Sequence, residues 1–276
     1  MGSHDKLISI LLAKLAAEEP AIKSQWRSPS TVGTRYCVVD NLLDPSICTD
    51  IFNAFPKGGG GFVSRKSFRE RKLTSADLVS YPEVLGDITY ALQSKSVLSF
   101  VQSALDLDEL EPDPMLYAGG LSMMFEGDFL NPHIDNSHDA ARGRYRRLNL
   151  LYYVSPDWIL ENGGNFELWD TKVRNKVTIG AFFNRLVIME TNKFSWHSVS
   201  PVRVKDPRCC VSTYYFSKKS PDASEYFHVT SFTGRPEQRA RRLFGIADNI
   251  LRSAVAKIFR VGRGKHLVNK GRGATP

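Results

Sequence analysis

His133 and Asp135 stand two residues apart in "FLNPHIDN", the spacing at which both side chains can leave one side of an extended chain. An imidazole and a carboxylate so placed are two-thirds of a divalent-metal site. A second imidazole would complete a three-ligand face and leave the remaining coordination positions open to small molecules. Of the six histidines, His4 and His266 lie near the chain ends, His138 sits in the loop beside the motif, and His228 follows the last clear run of strand formers. His197, in "FSWHSVSPV", stands where a strand meets a turn and is the natural third ligand. Eleven residues on, Arg208 opens "RCCVSTYYF", where period two puts Arg208, Cys210, Ser212 and Tyr214 on one face. If that face is interior, the guanidinium needs an anion, and a dicarboxylic co-substrate would supply one through a paired, charge-assisted contact. Singly, each feature has a plainer reading: a lone His-x-Asp is usually a surface accident, and an arginine opening a strand is usually solvated. Order and spacing together argue for a site.

The elements that must position these residues are mostly strands. From Met115 the segments "MLYAGGLSMMF", "RRLNLLYYV", "NFELWD", "KVTIGAFF", "RLVIMET", "SWHSVSPVRV" and "RCCVSTYYFS" are short, rich in β-branched and aromatic residues, and separated by turn formers. So many strands with little helix between them predict a sandwich or barrel. Upstream, apolar spacing predicts helices over 6–18 and within 82–105, and a strand at 36–39 followed by a helix with Asp44 as N-cap and Pro45 as its first residue. "PKGGGGF" (56–62) reads as a flexible connection, with a lid hinge as the alternative, and "SRKSFRERKL" as a polar segment after it. The expected fold is mainly β with N-terminal helices: a double-stranded β-helix (jelly-roll, cupin-like) core over about 115–218 inside a catalytic domain 1–231, then a basic amphipathic helix and flexible tail over 232–276.

Composition excludes some classes. With 42% hydrophobic and 24% charged residues the chain is an ordinary globular one, not a disordered one. No run of eighteen apolar residues occurs, which excludes a spanning helix, and the opening residues lack a secretory-signal pattern. Cys37, Cys48, Cys209 and Cys210 form no CxxC pair and read as free thiols of a reducing cytoplasm. The net charge of +8 belongs to the end of the chain: 232–276 holds eleven Lys/Arg and two Asp/Glu, +9, so the other 231 residues sum to −1.

The whole pattern resembles the 2-oxoglutarate/Fe(II)-dependent dioxygenases, in particular their prolyl-hydroxylase-type branch. The likeness runs from about Arg35 to Ser217 and rests on "YCVVDNLLDPSICTDIF", "FEGDFLNPHIDN", "RRLNLLYYVSPDWILENGGNFELWD", "NRLVIMETNKFSWHSVSPV" and "RCCVSTYYF". It implies Fe(II) on His133, Asp135 and His197, with Arg208 binding the distal carboxylate of 2-oxoglutarate and Tyr153 sharing it. Ser212 and Phe166 match pocket-lining positions, and Asn149, on the Tyr153 face with Arg147 and Leu151 by period two, is a polar contact to the co-substrate. Where many relatives carry a tyrosine shortly before the His-x-Asp, this chain has Phe125, which can pack but not hydrogen-bond. The implied reaction consumes O2 and 2-oxoglutarate, releases succinate and CO2 and hydroxylates an unactivated C–H bond, with ascorbate helpful. A carboxylate at Asp135 argues against a halogenase, which needs that position vacant.

The substrate is less legible. Free or peptidyl proline, a saccharide- or lipid-linked intermediate and other small metabolites all stay open, as does a non-catalytic metal-binding jelly-roll module. Arginines 142, 144, 146 and 147 beside the motif read either as recognition of an acidic substrate or as a solvated loop. The helix over 236–261 is expected to dock on the barrel or on a second copy; peripheral contact with an anionic membrane surface is the alternative. Past residue 232 only Phe244 and Phe259 are aromatic, which argues against nucleic acid.

Overall fold

The computed structural model describes residues 2–28, 30–117, 119–222, 224–238 and 242. The amphipathic helix and basic tail expected past residue 238 lie outside the described residues. Five α-helices and twelve strands are found among them. The helices come first: α1 (Ser3–Ala17), α2 (Glu19–Arg27), α3 (Pro45–Asn53), α4 (Glu83–Ala91) and α5 (Lys95–Ala104). Their stripes are one turn apart, as Leu7, Leu11 and Leu15 on α1 show, and each stripe is buried. Asp44 caps α3, accepting from the Ser46 N–H at 2.8 Å, and Pro45 follows it, as its residue types predict.

The strands are β1 (Tyr36–Asp40), β2 (Val63–Lys66), β3 (Glu70–Ser75), β4 (Gly120–Met124), β5 (Phe129–Ile134) and β6 (Tyr145–Tyr153), then β7 (Phe166–Trp169), β8 (Lys176–Ile179), β9 (Arg185–Glu190), β10 (His197–Val199), β11 (Arg208–Ser217) and β12 (Ser231–Phe232). They form one curled antiparallel sheet in the order β1-β9-β6-β11-β4-β3-β5-β10-β7-β8, with β2 on β3 and β12 on β5. This is the jelly-roll core expected from the sequence. The "SRKSFRERKL" stretch, read there as merely polar, is the β2–β3 hairpin, whose mixed charges and modest burial hide the strand alternation. The glycine run is not a loose tether: Gly59 is buried with a φ of 76°, and a Cβ there would lie 2.2 Å from Leu73 Cδ1.

Alternation along the strands sorts residues into two layers. Leu148, Leu150 and Tyr152 on β6, with Cys209, Val211 and Tyr215 on β11, pack against the helices. Tyr153 on β6 and Cys210 on β11 face the other way, into the barrel, with Phe166, Leu168 and Val187. Asn184 ties the segment before α3 to β6 on the helix side: its Oδ1 accepts from the Leu43 N–H and the Tyr152 hydroxyl, and its Nδ2 donates to the Leu43 carbonyl. All four cysteines are free and buried, and burial pushes the Cys37 thiol up to about 12. No helix among the described residues is long and apolar enough to cross a membrane.

Candidate active site

The three expected metal ligands converge. His133 on β5 and His197 on β10 are directly opposed across the ladder, with ring centroids 4.1 Å apart, and Asp135 follows the end of β5. Each imidazole Nε2 lies 3.7 Å from a different Asp135 oxygen, and the ligand atoms are all within 4.8 Å of one another. The backbone fixes the rings: His133 Nδ1 is 3.0 Å from the Asn131 carbonyl and His197 Nδ1 is 2.9 Å from the Ser195 carbonyl. A carbonyl can only accept, so each Nδ1 carries the proton and each Nε2 turns a lone pair inward, the tautomer a metal requires.

Electrostatics favour the same state. Burial first, and then the neighbouring imidazole of His197, push His133 down to about 3, so it stays neutral; burial likewise lowers His197. Burial alone would raise Asp135, but the Arg146 guanidinium, helped by the Tyr214 hydroxyl, outweighs it and holds the carboxyl well below the usual range. Arg146 Nη1 is 3.3 Å from Asp135 Oδ2, and Tyr214 donates to the same oxygen at 3.1 Å. Two neutral nitrogens and one carboxylate, all buried or nearly so, are a donor set suited to a divalent iron.

Arg146 is a residue that sequence reasoning missed. It belongs to the four-arginine run taken as a loop at the mouth, yet it is 2% exposed. The cause is a β-bulge. Along β6 and β11, Leu148 opposes Tyr215 but Arg146 opposes Phe216, so Arg147 is an extra residue in its strand. The alternation therefore inverts, and Arg146 joins Tyr214 on the interior face, its guanidinium 4.0 Å from the Tyr214 ring centroid. The assignment of Arg147 to the Tyr153 face by strict alternation stops at that bulge. The neighbours are also engaged: Arg144 pairs with Asp139 at 2.8 Å and Glu111 at 3.2 Å, and Arg142 stacks on Phe227 at 4.2 Å. The only signal in the sequence was that "RYRRLNLLYYV" continues strand-like residues back through Tyr145.

Behind the three side chains lies Arg208, the residue expected to bind an anion. Arg208 is 3% exposed, its Nη1 meets only the Met124 sulfur at 3.6 Å, and its Nε has no partner. Its guanidinium lies 4.7 Å from the Tyr153 ring centroid. The Tyr153 hydroxyl and Asn149 Oδ1 are likewise buried without partners. Burial raises the Tyr153 phenol, and the Arg208 charge opposes that rise. A cation, a phenol and an amide left unsatisfied inside one barrel fit a bound dicarboxylate, because such atoms are costly unless something hydrogen-bonds them. Gly164 makes room: a Cβ there would lie 2.7 Å from Arg208 Cδ. Phe166 lies 5.7 Å, centroid to centroid, from His197. Ser212 spends its hydroxyl on the Gly120 carbonyl at 3.3 Å, and Phe125 packs against the helix-side layer.

Residues 119–216 match the sequence model of the 2OG-Fe(II) oxygenase superfamily. No curated protein sequence matches the chain. Among solved structures, it superimposes on a Trichoplax adhaerens prolyl hydroxylase, in complex with a hypoxia inducible factor oxygen degradation domain peptide fragment, with a TM-score of 0.52 and 20% identity over 78% of this chain and 96% of that one. A Pseudomonas putida prolyl-4-hydroxylase gives a TM-score of 0.54 and 13% identity over 73% and 100%. A prolyl 4-hydroxylase from Phytophthora capsici gives 0.52 and 18% over 91% and 77%. These likenesses establish the fold. The matched segment, less than half of the chain, is the barrel that carries His133, Asp135, His197 and Arg208, and over it the chain is similar to the 2OG-Fe(II) oxygenases. The fold neighbours named above are prolyl hydroxylases, and the matched family is named for Fe(II) and 2-oxoglutarate.

Proposed function

We propose that this chain hydroxylates an unactivated C–H bond, with iron on His133, Asp135 and His197 and 2-oxoglutarate on Arg208, Tyr153 and Asn149. One observation carries the reading: two tautomer-fixed imidazoles aim their free nitrogens at a single ionised carboxylate, beside a buried guanidinium that lacks an anion. Iron bound there, with 2-oxoglutarate and O2, supplies the oxidising chemistry and releases succinate and CO2. The chain's residues do the rest. Arg146 and Tyr214 keep Asp135 deprotonated and oriented, the Asn131 and Ser195 carbonyls fix the rings, and Arg208 with Tyr153 anchors the co-substrate by charge-assisted hydrogen bonds.

Proline, free or within a peptide, leads the substrate classes, because the superimposed solved structures named above are prolyl hydroxylases. Saccharide- or lipid-linked intermediates and other small metabolites come next. The arginines beside the metal motif lend an acidic substrate little support, since Arg142, Arg144 and Arg146 already have partners inside the protein.

The test is anaerobic titration of the protein with Fe(II) and 2-oxoglutarate, with ascorbate as reductant, while following the weak visible metal-to-ligand absorption. Wild type is expected to give the band and Asp135→Ala to lose it. Arg208→Ala should need at least about 30-fold more 2-oxoglutarate, since truncating one partner of a buried charge pair costs about 2–5 kcal/mol. Iron bound without a band in wild type would refute the co-substrate assignment.

A further inference from the structure

The metal-ligand strand is bordered on its far side by a piece of chain beyond the matched family segment. Residues 228–233 run antiparallel to 132–137, paired at the Ser231–Thr233 end and again at His228. Thr233 N–H donates to the Pro132 carbonyl at 2.9 Å, Phe232 opposes His133, and Ser231 opposes Ile134. At the other end Ser137 N–H donates to the His228 carbonyl at 3.0 Å, and His228 N–H donates to Ser137 Oγ at 3.0 Å. Every residue from Pro132 to Ser137, both His-x-Asp ligands included, is therefore spanned by this strap.

The Phe232 side chain of the strap reaches a candidate ligand. The Phe232 ring is stacked on the His133 imidazole, with centroids 5.1 Å apart and planes at 16°. His133 itself lies against His197, so the aromatic row continues into the second ligand. On its other side Phe232 meets the tip of the β2–β3 hairpin, where the Arg69 guanidinium lies 5.8 Å from the Phe232 ring and 4.8 Å from Phe68.

A buried latch holds the strap. Arg235 Nη1 is 2.6 Å from Glu167 Oε2, and Arg235 Nη2 donates to the Val199 carbonyl at 3.0 Å. The same Glu167 oxygen accepts from Ser198 Oγ at 2.7 Å, and Ser198 Oγ in turn accepts from Trp169 Nε1 at 2.7 Å. Ser198 directly follows the ligand His197, so the latch is anchored on the strand that carries the third ligand. A cation and an anion buried together with their hydrogen bonds filled form a rigid joint.

We propose that residues 228–235 are a positioning element of the metal centre, in which Phe232 sets the plane of the His133 imidazole and the Arg235–Glu167 pair locks Phe232 in place. The inference rests on the iron assignment above only for the identity of the metal. Groups that orient a metal ligand typically change metal affinity about 10–100-fold when removed.

The experiment is Co(II) titration of the full chain, read from its visible d–d spectrum, in wild type, Phe232→Ala, Phe232→Tyr and Arg235→Ala. Phe232→Ala is expected to bind Co(II) about tenfold more weakly, with an altered d–d envelope, because the ring that fixes His133 is gone. Phe232→Tyr keeps the stack and should retain wild-type affinity and spectrum. Arg235→Ala should reproduce the Phe232→Ala spectrum; should it fail to fold, the Phe232 pair decides alone. Phe232→Ala with Co(II) affinity within twofold of wild type and an unchanged spectrum would overturn the proposal. Co(II) binding does not need 2-oxoglutarate. A wild type that binds Co(II) yet gives no anaerobic Fe(II)/2-oxoglutarate band would sink the oxygenase reading, while the strap would still be judged by the Co(II) comparison.

Discussion

Replacing Arg146 with methionine removes the counter-charge of Asp135 and nothing of the metal-ligand set. The guanidinium and carboxylate are 3.3 Å apart and both largely withdrawn from water, with side-chain exposures of 1% and 12%. At an effective dielectric constant of about 20, such a pair attracts by about 5 kcal/mol. Desolvation takes back part of this, and removing one partner of a buried pair costs about 3–5 kcal/mol. Arg146→Met without metal should therefore lose about 3–5 kcal/mol of unfolding free energy at pH 7.5. The sign follows from linkage. Asp135 is held below its ordinary value in the folded protein, so its contribution is present above the unfolded carboxylate range and is lost as pH falls through the folded value. In the variant burial acts with less opposition, so the carboxyl titrates higher and stability is lost at a less acidic pH. Saturating Co(II), which puts positive charge back beside Asp135, should recover much of the deficit. The assay is urea unfolding of both proteins with and without Co(II). Unfolding free energies within about 0.5 kcal/mol of each other without metal, the range of ordinary surface substitutions, would refute the ion-pair account of the Asp135 environment.

Two further outcomes follow from the geometry. Gly164→Ala puts a Cβ 2.7 Å from Arg208 Cδ at a position whose φ is 62°, so Arg208 must move; 2-oxoglutarate affinity should fall about tenfold while Co(II) affinity holds, and equal co-substrate affinity would contradict the packing argument. Burial raises Asp113 to about 6, with Arg146 and Arg144 offsetting part of the rise, so its contribution is full below the unfolded value of 3.8 and is lost as pH rises through about 6. Relative to Asp113→Asn, wild type should gain on the order of 3 kcal/mol between pH 8 and pH 4, from about two pH units at 1.36 kcal/mol each, and a pH-independent difference in urea unfolding would rule this out.

Much of this was legible because the chemistry is local in sequence. Asp44–Pro45, the leucine stripe of α1 and the opposite faces of Cys209 and Cys210 follow from capping and periodicity alone. The candidate ligands His133, Asp135 and His197 come together because a strand places i and i+2 on one side and the barrel brings the distant histidine opposite. Arg208 emerged as an interior cation for the same reason. What escaped was set by breaks in period. The bulge at Arg147 inverted Arg146 without any glycine or proline to mark it. The β2–β3 hairpin carries charge on both faces and so lacks an apolar alternation. Phe232 and Arg235 fall where composition turns basic, and their partners, His133 and Glu167, lie far away in the chain.

The bulge also sets a rule of spacing. Ahead of it, the turn from Ser137 to Arg144 is tied to distant segments, through Ser137 to His228, Arg144 to Glu111 and Arg142 to Phe227. From Arg146 to Tyr153 the pairing is what matters, because leaving Arg147 unpaired decides which way the Arg146 guanidinium points. Deleting Arg147 would leave Arg146 opposite Phe216 and directly before Leu148, still on the interior face, whereas a regular ladder that paired Arg147 with Phe216 would turn Arg146 toward the helices and away from Asp135. A regular ladder of unchanged length would then separate Arg146 from Asp135, with every candidate ligand still encoded.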